Sequence, residues 1–334
     1  MKIIIPMAGM GKRMRPHTLT IPKPLIPIAG KSIVQRLVED LKTTISKPID
    51  EIAFVVGDFG KEVEESLCKI AHEMGSTCSI YYQNEPLGTA HAVLCAADSL
   101  KGEVVVAFAD TLFRTSSIQG NSADAIIWVK EVENPSQFGV VKLNNEGIIT
   151  DFIEKPQTPV SNLAIIGIYY FKSGELLRQE LQYLIDHNIK VKGEYQLTDA
   201  LQNMKNKGLT LKATAIDEWF DCGNKEATLN TTKRILELST PEQLLMPGAQ
   251  IINSVIIQPC FIGIDAIVEN SIVGPYVSIG KQTHVRNSII KDSIIQRYTH
   301  VENLIISNSI VGNNSDISGS FKDLNVGDYN TLTL

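Results

Sequence analysis

The last third of the chain repeats a short apolar pattern, and this repeat constrains the fold more than any other feature. The segment Ile251–Ile256 recurs as Val268–Val273, as Val285–Ile290 and as Val301–Ile306, at offsets of 17, 17 and 16 residues. A period close to three hexads, with β-branched residues facing one way and Gly, Asn or Ser at the corners, predicts a left-handed parallel β-helix of about four coils. An ordinary β-sandwich is the alternative, and four segments in register disfavour it.

Adjacent apolar pairs recur within these coils, and they have a consequence for assembly. The pairs are Ile256-Ile257, Ile272-Val273, Ile289-Ile290, Ile294-Ile295, Ile305-Ile306 and Ile310-Val311. One member of each pair should point inward and the other outward, because side chains alternate along a strand. The outward members would form an exposed apolar stripe, a usual mark of an interface. We therefore expect a homo-oligomer assembled through the β-helix, with packing of the stripe on the N-terminal domain as the alternative.

The first 225 residues alternate strand-like and helix-like patterns, which predicts a doubly wound, mainly parallel α/β sheet. The predicted strands are Met1–Pro6, Ile52–Val56, Ser79–Tyr82, Val104–Ala109 and Ala164–Phe171, and the predicted helices are Ser32–Thr43, Lys61–Met74, Thr89–Leu100, Ser173–His187 and Leu197–Asn206. The short strands Ala125–Val132, Val140–Leu143 and Ile148–Glu154 predict a small antiparallel extension. We predict a first domain over residues 1–225, a connecting helix and linker over 226–242, and the β-helix domain over 243–334.

Composition and charge narrow the class of protein. The 334 residues are 43% hydrophobic and 20% charged, as in ordinary globular proteins, and the net charge of −6 argues against a nucleic-acid partner. No apolar stretch reaches the roughly 18 residues that span a bilayer, so no membrane partner is expected and the cytoplasm is the default location. The five cysteines are scattered without a C-x-x-C pair. We therefore expect neither a zinc site nor a disulfide framework.

The loop after the first strand has the character of a polyphosphate site. Gly9 and Gly11 let backbone N–H groups approach phosphates, and Arg13, Arg15 and Lys23 add positive charge. The loop is not a P-loop, because Arg13 follows Gly11-Lys12 where a P-loop needs Ser or Thr. It is not a dinucleotide fingerprint either, because the third glycine is missing and prolines forbid an early helix. A basic surface turn is the alternative.

These residues resemble the N-terminal signature of the sugar-1-phosphate nucleotidylyltransferases. The matching segments are Gly9-Met10-Gly11-Lys12-Arg13-Met14-Arg15-Pro16 and Pro22-Lys23-Pro24-Leu25-Ile26-Pro27, with Lys12 standing where the family usually has a small hydroxyl residue. The resemblance implies a Rossmann-like nucleotide-diphospho-sugar transferase fold. It also implies that Ala8, Gly9, Gly11 and Lys12 bind the nucleotide, and that Arg13 and Lys23 are catalytic residues that hold the triphosphate.

Two aspartates are candidates for a magnesium site. Asp110 ends a predicted buried strand, and Asp221 lies in Trp219-Phe220-Asp221-Cys222-Gly223. The family places metal-binding aspartates after such a strand and in a W-x-D-x-G segment, so the resemblance implies that both bind Mg²⁺. Mg²⁺ typically takes one or two carboxylates together with phosphate oxygens and water. A strand-end aspartate is otherwise usually a cap or turn residue.

The segment Tyr81–Ala90 resembles the base-reading loop of the family. The Gln83 amide offers a donor and an acceptor that match one imide edge of uracil or thymine. Gly88 would let the base lie close to the backbone, and Thr89 follows it in the nucleotide site. A merely solvated glutamine is the alternative for Gln83.

Further segments resemble the sugar-phosphate elements of the family, including Phe138-Gly139-Val140-Val141 and Ile153-Glu154-Lys155-Pro156. The resemblance implies that Glu154 accepts hydrogen bonds from sugar hydroxyls and that Lys155 contacts the sugar phosphate as a catalytic residue. The residues assigned to this subsite are Gly139, Glu154, Lys155, Asn162, Tyr169 and Glu194. A surface turn closed by Pro156 is one alternative, and a helix-capping role for Glu194 is another.

Together these features imply an enzyme that transfers a nucleoside monophosphate from dTTP or UTP to a sugar 1-phosphate, with glucose 1-phosphate favoured. The long glucose-1-phosphate thymidylyltransferases are the most similar members, and the N-acetylglucosamine-1-phosphate uridylyltransferases are close behind. Two alternatives are a regulatory or scaffold protein that only senses nucleotide sugars and a kinase-like phosphotransferase, which the missing P-loop disfavours. His284 and His300 lie in the repeats, but about four coils are few for a separate acyltransferase module.

Overall fold

The computed structural model describes residues 1–115, 123–158 and 160–320. The chain divides into two compact units. One contains Met1–Ile26 and Lys31–Ala227, and the other contains Pro27–Gly30 and Thr228–Leu334. The domain limits at residues 225 and 242 remain a prediction, which this division into units does not test.

A nine-stranded sheet forms the centre of the first unit. The strands of this unit are β1 (Lys2–Pro6), β2 (Glu51–Val56), β3 (Thr77–Tyr82), β4 (Val104–Ala107), β5 (Thr111–Arg114), β6 (Ala125–Glu131), β7 (Gly139–Leu143), β8 (Ile149–Glu154), β9 (Leu163–Phe171), β10 (Leu211–Ala215) and β11 (Glu218–Asp221). The order in the sheet is β8-β7-β9-β4-β1-β2-β3, and β6 pairs with both β9 and β10. Strands β4, β1, β2 and β3 are parallel neighbours, whereas β9 runs antiparallel to β4. The fold is thus the predicted doubly wound, mainly parallel sheet.

The sequence explains the central strands and their helices. Ile3, Ile4 and Ile5 are fully buried, because both faces of a central parallel strand are covered. The helices are α1 (Ile33–Thr44), α2 (Lys61–Glu73), α3 (Thr89–Cys95), α4 (Gly174–Asp186), α5 (Leu197–Asn206), α6 (Lys225–Leu238) and α7 (Pro241–Leu244). Ser32 caps α1 as predicted, since its Oγ accepts a hydrogen bond of 3.2 Å from the Gln35 N–H. The described part of the chain also has 3-10 turns at Lys12–Met14, His17–Leu19, Lys23–Leu25 and Pro135–Gln137, and two-residue strands at Pro27–Ile28 and Lys31–Ser32.

Several predicted elements differ from the structure. Helix α3 ends at Cys95 instead of Leu100, because the backbone of its C-cap residue Ala96 leaves the helical conformation. Beyond that end, the buried Ser99 donates from its hydroxyl to the Glu51 carboxylate at 2.6 Å. The three short strands of the predicted antiparallel extension belong to the main sheet, where β6 and β7 pair antiparallel with β9 and β8 pairs antiparallel with β7. Strands β5, β10 and β11 were not predicted, because each is short and lacks a long apolar run.

One pair of cysteines forms a disulfide, although the sequence led us to expect no disulfide framework. Cys68 on α2 and Cys78 on β3 are joined, with their Cα atoms 5.2 Å apart. The turn through Gly75 folds the helix back on the strand that follows it, and this brings two residues ten positions apart into contact. In the described residues, Cys95, Cys222 and Cys260 take part in no disulfide.

Three parallel sheets build the C-terminal region of the second unit, and they form the predicted left-handed β-helix. Face one contains Gln250–Ile252, Ile267–Glu269, His284–Arg286, His300–Glu302 and Asp316–Ser318; face two contains Val255–Ile256, Ile272–Val273, Ile289–Lys291 and Ile305–Ser307; face three contains Cys260–Ile262, Val277–Ile279, Ser293–Ile295 and Ile310–Val311. The interior is apolar, with Val268, Val285 and Val301 fully buried in successive coils. Asn270, Asn287 and Asn303 turn corners with positive φ, which asparagine tolerates better than most residues.

The exposure predicted for the outward members of the apolar pairs is found on face two but not for Ile294 on face three. On face two Val273 and Ile290 are buried, whereas Ile272, Ile289 and Ile305 are exposed. On face three both Ile294 and Ile295 are buried, although only Ile295 belongs to the interior cluster. The reason is that other parts of the same unit cover this face. Gly30 lies against the Phe261 ring, and Lys233 of α6 pairs with Asp292 at 2.9 Å.

Among the described helices, none combines the length and the apolar character that crossing a membrane requires.

Candidate active site

Two neighbouring pockets lie where the strands β1 and β4 end. The large pocket has a volume of about 510 Å³ and the small pocket about 270 Å³. Thr89, Phe108 and Asp110 line both. A ligand in one pocket would therefore meet a ligand in the other beside Asp110, at the edge of the sheet where ligands of such folds bind.

The glycine loop and Lys23 form one wall of the small pocket. Ala8, Gly9 and Gly11 line it together with Lys23. The loop is fixed by the Thr18 hydroxyl, which donates to the Gly11 carbonyl at 2.9 Å. The Lys23 Nζ lies 2.6 Å from an Asp110 carboxylate oxygen, and only 11% of the lysine side chain is exposed. A sheltered cation thus stands beside backbone that can approach phosphates closely.

Gln83, Gly88 and Thr89 form the opposite wall of the small pocket. The Gln83 Nε2 donates to the Gly88 carbonyl at 3.1 Å and lies 3.0 Å from the His91 Nδ1. Gly88 has φ +111, and a Cβ there would come within 2.5 Å of the Tyr195 carbonyl oxygen. The position therefore requires glycine for steric reasons. Gln83 is half-buried and held on two sides, unlike a solvated loop glutamine.

A two-stranded ribbon brings the two aspartates together. Strand β5 begins directly after Asp110, and β11 ends at Asp221, which pairs with Thr111 in the ribbon. The Cys222 N–H donates to the Asp110 carbonyl at 3.1 Å, which closes the end of the ribbon. Burial and the nearby charge of Asp110 raise the pKa of Asp221, while the Gly223 N–H, Lys23 and Arg13 act in the opposite direction. The ribbon therefore holds two like charges close together.

The donor set of this carboxylate pair fits a magnesium ion. Two carboxylates supply hard oxygen ligands and leave positions for phosphate oxygens and water, as Mg²⁺ prefers. No cluster of three or more His, Cys, Asp or Glu side chains suited to a metal occurs in residues 1–115, 123–158 and 160–320. That part of the chain thus shows no group of protein side chains that could hold a metal ion without oxygen atoms from a substrate. Burial and the charge of Asp110 both raise the pKa of Asp221, and a bound cation would offset both effects.

The large pocket collects most of the residues assigned to the sugar phosphate. Gly139, Glu154, Lys155 and Tyr169 line it together with Arg13 and Asp221. The Lys155 Nζ is 3.4 Å from a Glu154 carboxylate oxygen, and its backbone N–H donates to the Phe138 carbonyl at 3.1 Å. Burial, with a smaller effect of Glu154, raises the pKa of Tyr169, so its hydroxyl stays protonated. The pocket thus offers a cation, a carboxylate and a hydroxyl along one wall.

Three assigned residues lie elsewhere. Lys12 is exposed and lines neither pocket. Asn162 is exposed outside both pockets, and its amide donates to the Glu131 carboxylate. Glu194 lines the small pocket beside Gly88 and is absent from the wall that carries Lys155.

Sequence reasoning missed other residues of the large pocket. Phe138 and Trp219 meet edge to face there, with ring centroids 4.9 Å apart. The Thr198 hydroxyl lies 3.5 Å from a Glu154 carboxylate oxygen, and Gln196 precedes it in the lining. Trp219 and Thr198 belong to segments already singled out, around Asp221 and Glu194. The sequence signal that could have identified Trp219 and Thr198 is their proximity to these two assigned residues.

The parallel sheet and the two pockets at its carboxyl edge define a doubly wound α/β protein of the kind that binds ligands at this edge. A family model described as nucleotidyl transferase matches residues 2–237, and a second, described as GlmU-like C-terminal hexapeptide, matches residues 241–306. The first match covers most of the chain. The protein therefore belongs to the nucleotidyl transferase family and is an enzyme of that class.

Individual relatives agree with this family. The chain is 28% identical to the glucose-1-phosphate thymidylyltransferase of Streptomyces griseus, over 89% of this chain and 87% of that protein. It is 33% identical to the low-salt glycan biosynthesis nucleotidyltransferase Agl11 of Haloferax volcanii, over 71% and 66%. It is 36% identical to the bifunctional protein GlmU of Methanocaldococcus jannaschii, over 71% of this chain but 55% of that protein. The match thus spans about half the length of the GlmU relative.

Solved structures show the same fold. The chain superposes on a putative glucose-1-phosphate thymidylyltransferase from Bacillus anthracis with a TM-score of 0.61, at 23% identity, covering 72% of this chain and 97% of that one. It superposes on a UDP-glucose pyrophosphorylase complexed with UDP-glucose with a TM-score of 0.56, at 26% identity, covering 71% and 99%.

Proposed function

We propose that the protein transfers a nucleoside monophosphate from dTTP or UTP to a sugar 1-phosphate, with glucose 1-phosphate favoured, and releases pyrophosphate. The observation that carries this proposal is the pair of pockets that meet at Asp110. The small pocket offers glycine backbone and Lys23 for a triphosphate, and the large pocket offers Lys155 for a second anion. Family membership and the thymidylyltransferase relatives support the same reaction.

The reaction needs no protein nucleophile. An oxygen of the sugar phosphate attacks the α-phosphorus of the triphosphate, a new P–O bond forms, and the bond from the α-phosphorus to the bridging oxygen of pyrophosphate breaks. Arg13 and Lys23 bind the triphosphate and stabilise the charge that moves to pyrophosphate. Lys155 holds the attacking phosphate, and fixing two anions against their repulsion lowers the barrier.

Asp110 and Asp221 would hold the divalent metal that enzymes of this family generally use, with Mg²⁺ as the proposed ion. When bound there, it supplies positive charge to phosphate oxygens. The residues themselves contribute geometry, because the β5–β11 ribbon fixes Asp110, which lines both pockets, beside Asp221, which lines the large pocket. Lys23 neutralises Asp110 from the small-pocket side.

A second candidate function is transfer of UMP to N-acetylglucosamine 1-phosphate. The GlmU-like match of residues 241–306 and the GlmU relatives favour it. The two candidates differ in the sugar 1-phosphate. If the first uses dTTP, they differ also in the 2′-hydroxyl of the nucleotide and in one methyl group of the base, which a pocket discriminates by only about 1–3 kcal/mol. A regulatory or scaffold role is disfavoured, because the chain belongs to an enzyme family.

We also propose that the β-helix assembles the protein as a homo-oligomer. Ile272, Ile289 and Ile305 form an exposed apolar stripe on face two, whereas face three is covered within its own unit. A second copy of the chain is the proposed occupant of the stripe, in line with the hexapeptide character of this region.

A substrate matrix tests the proposed reaction. The purified protein is incubated with Mg²⁺ and each of dTTP, UTP, CTP, ATP and GTP against the 1-phosphates of glucose, N-acetylglucosamine, galactose and mannose, and pyrophosphate is measured. We expect release only when a triphosphate and a sugar phosphate are both present, with dTTP or UTP and glucose 1-phosphate fastest. Release without any sugar phosphate, or no release with any pair, would refute the proposal.

A further inference from the structure

We infer that His91 is a specificity-positioning residue: it holds the Gln83 amide so that the side chain presents only its carbonyl oxygen to the nucleobase. The inference rests on the proposed function, since it assigns the base edge that the small pocket accepts. It adds a residue that lies outside the pocket lining.

Both donors of the Gln83 amide are already engaged. One faces the Gly88 carbonyl at 3.1 Å, and the other faces the His91 Nδ1 at 3.0 Å. A primary amide nitrogen carries two N–H groups, so no donor of this side chain remains for a ligand. Among the described residues, none donates to the Gln83 Oε1, and this oxygen is not buried. The free polar atom of Gln83 is therefore an acceptor.

Two acceptors fix this orientation. The Gly88 carbonyl can only accept a hydrogen bond, so it requires the amide nitrogen on its side. With the amide nitrogen held there, the 3.0 Å contact requires that neutral His91 carry its proton on Nε2 and accept at Nδ1, which makes Nδ1 a second acceptor for the same nitrogen. Rotating the amide by 180° would place its oxygen against the Gly88 carbonyl and lose both hydrogen bonds. His91 lies on the first turn of α3, and Gly88 immediately precedes that helix, so one short segment sets both contacts.

An acceptor in this place selects the edge of the base. Uracil and thymine present an N3–H donor, whereas the N3 of cytosine is itself an acceptor and would face the Gln83 oxygen without a proton. Cytosine has the same ring size as uracil, so a comparison of UTP with CTP tests hydrogen bonding with little change in the shape of the base. A site that hydrogen-bonds a substrate donor rejects an analogue that lacks it far more strongly than an apolar pocket rejects a methyl group.

The surroundings of His91 keep it neutral near pH 7. Burial lowers the pKa of His91, and the opposing charge of Glu85 is a smaller effect. The charged residues that line the adjacent small pocket are Lys23, Asp110 and Glu194. Protonation would place an N–H at Nδ1 opposite the amide N–H, and the preference for the imide edge should weaken as the pH falls below the pKa of His91.

Three variants test the inference. His91→Leu removes the acceptor, and His91→Asn places an amide oxygen near the Nδ1 position but does not titrate in this range. His72→Ala, on the exposed side of α2, is the control. The readout is the ratio of kcat/KM for UTP to that for CTP, with a fixed sugar phosphate, from pH 5.5 to pH 8.

We expect the ratio to fall about tenfold in His91→Leu, the scale of one lost hydrogen bond. His91→Asn should keep the wild-type ratio and lose its decline at low pH, and His72→Ala should match the wild type. An unchanged ratio in His91→Leu, an equal loss in His91→Leu and His91→Asn, or no UTP preference in the wild type would overturn the inference. If His91→Leu does not fold, the pH profiles of the wild type and His91→Asn decide.

The two proposals can fail separately. Equilibrium binding of UTP and of CTP by calorimetry repeats the comparison without turnover. If no sugar phosphate reacts but the UTP-to-CTP binding ratio falls in His91→Leu and survives in His91→Asn, the reaction is wrong and the role of His91 stands. If pyrophosphate is released but the UTP-to-CTP ratio does not change when His91 is replaced, the proposed reaction stands and the proposed role of His91 is wrong.

Discussion

Replacing Asp110 or Asp221 by asparagine should abolish most of the activity in both cases, yet the two variants should differ in stability. Each substitution removes one negative charge from the carboxylate pair. Turnover should fall by about 100-fold or more in each, the scale of losing one charge-stabilising group at a reacting phosphate.

The stability effects follow from the local contacts. Asp110 is the partner of Lys23 at 2.6 Å, with 38% and 11% of the two side chains exposed. Breaking a fully buried ion pair costs about 3–5 kcal/mol. Because Asp110 is more than a third exposed, solvent screening reduces the expected loss to about 1–2 kcal/mol, or a few degrees in Tm.

Asp221→Asn should leave the stability unchanged or increased. Burial and Asp110 raise the pKa of Asp221, so its ionised form is less stable in the folded protein than in the unfolded chain. Ionisation at neutral pH therefore costs stability, and this cost disappears as the pH falls through the folded-state pKa. The asparagine removes the charge, and its Oδ1 can still accept the 2.8 Å hydrogen bond from the Gly223 N–H.

The assay pairs pyrophosphate release at saturating Mg²⁺ with thermal unfolding at pH 7. Asp151→Asn is the matched control, because Asp151 is exposed on β8 and lines neither pocket. It should retain both activity and Tm. Near-wild-type turnover of either Asp110→Asn or Asp221→Asn would refute the metal assignment. A large loss of Tm in Asp221→Asn would show that this carboxylate is structural.

The other predictions concern the large pocket, Gly88 in the small pocket, and face two of the β-helix. Lys155→Ala should raise KM for the sugar phosphate by about tenfold or more, with a smaller change in KM for the triphosphate. The Lys155 side chain is 52% exposed, so we do not expect the full loss of about 2–5 kcal/mol that removal of a buried charge causes. An equal effect on both substrates would contradict the placement of Lys155 in the sugar-phosphate site. Gly88→Ala should destabilise the protein by at least about 1–3 kcal/mol and weaken triphosphate binding, because its Cβ would overlap the Tyr195 carbonyl; a wild-type Tm would show that the loop adapts. The double variant Ile272→Lys and Ile289→Lys should shift the protein to a smaller oligomer in light scattering with unchanged Tm, and an unchanged mass would argue against assembly through this face.

Periodic apolar patterns made most of the fold predictable. The run Ile3–Ile5 and the 17-residue repeat each reflect burial that recurs at fixed spacing, and both elements formed as predicted. The errors occur where a long-range contact overrides the local pattern. Ser99, which was predicted to be helical, lies beyond the end of α3 and binds Glu51, and Ile294 is buried because its own unit covers face three. Neither contact has a local sequence signal.

Residue types and family resemblance predicted much of the candidate site but not its division into two pockets. The pairing of β5 with β11 places Asp110 beside Asp221, and no local pattern announces that ribbon. The family resemblance assigned Lys12 to the nucleotide site and Asn162 to the sugar site, yet the structure places both outside the pockets. Sequence neighbours on a loop or strand point in different directions, so adjacency alone does not position a side chain.

The position of Lys23 explains how the carboxylate pair is tolerated before substrates bind. Burial and the nearby charge of Asp110 both raise the pKa of Asp221, so the ionised pair opposes folding. Lys23 contacts Asp110 at 2.6 Å and lowers the charge of the pair as seen from the small pocket. A bound metal would repel the Lys23 ammonium, which then has the triphosphate as its nearest anion. Lys23→Ala should consequently weaken triphosphate binding and also lower Tm, whereas a residue that served only the substrate would leave Tm unchanged.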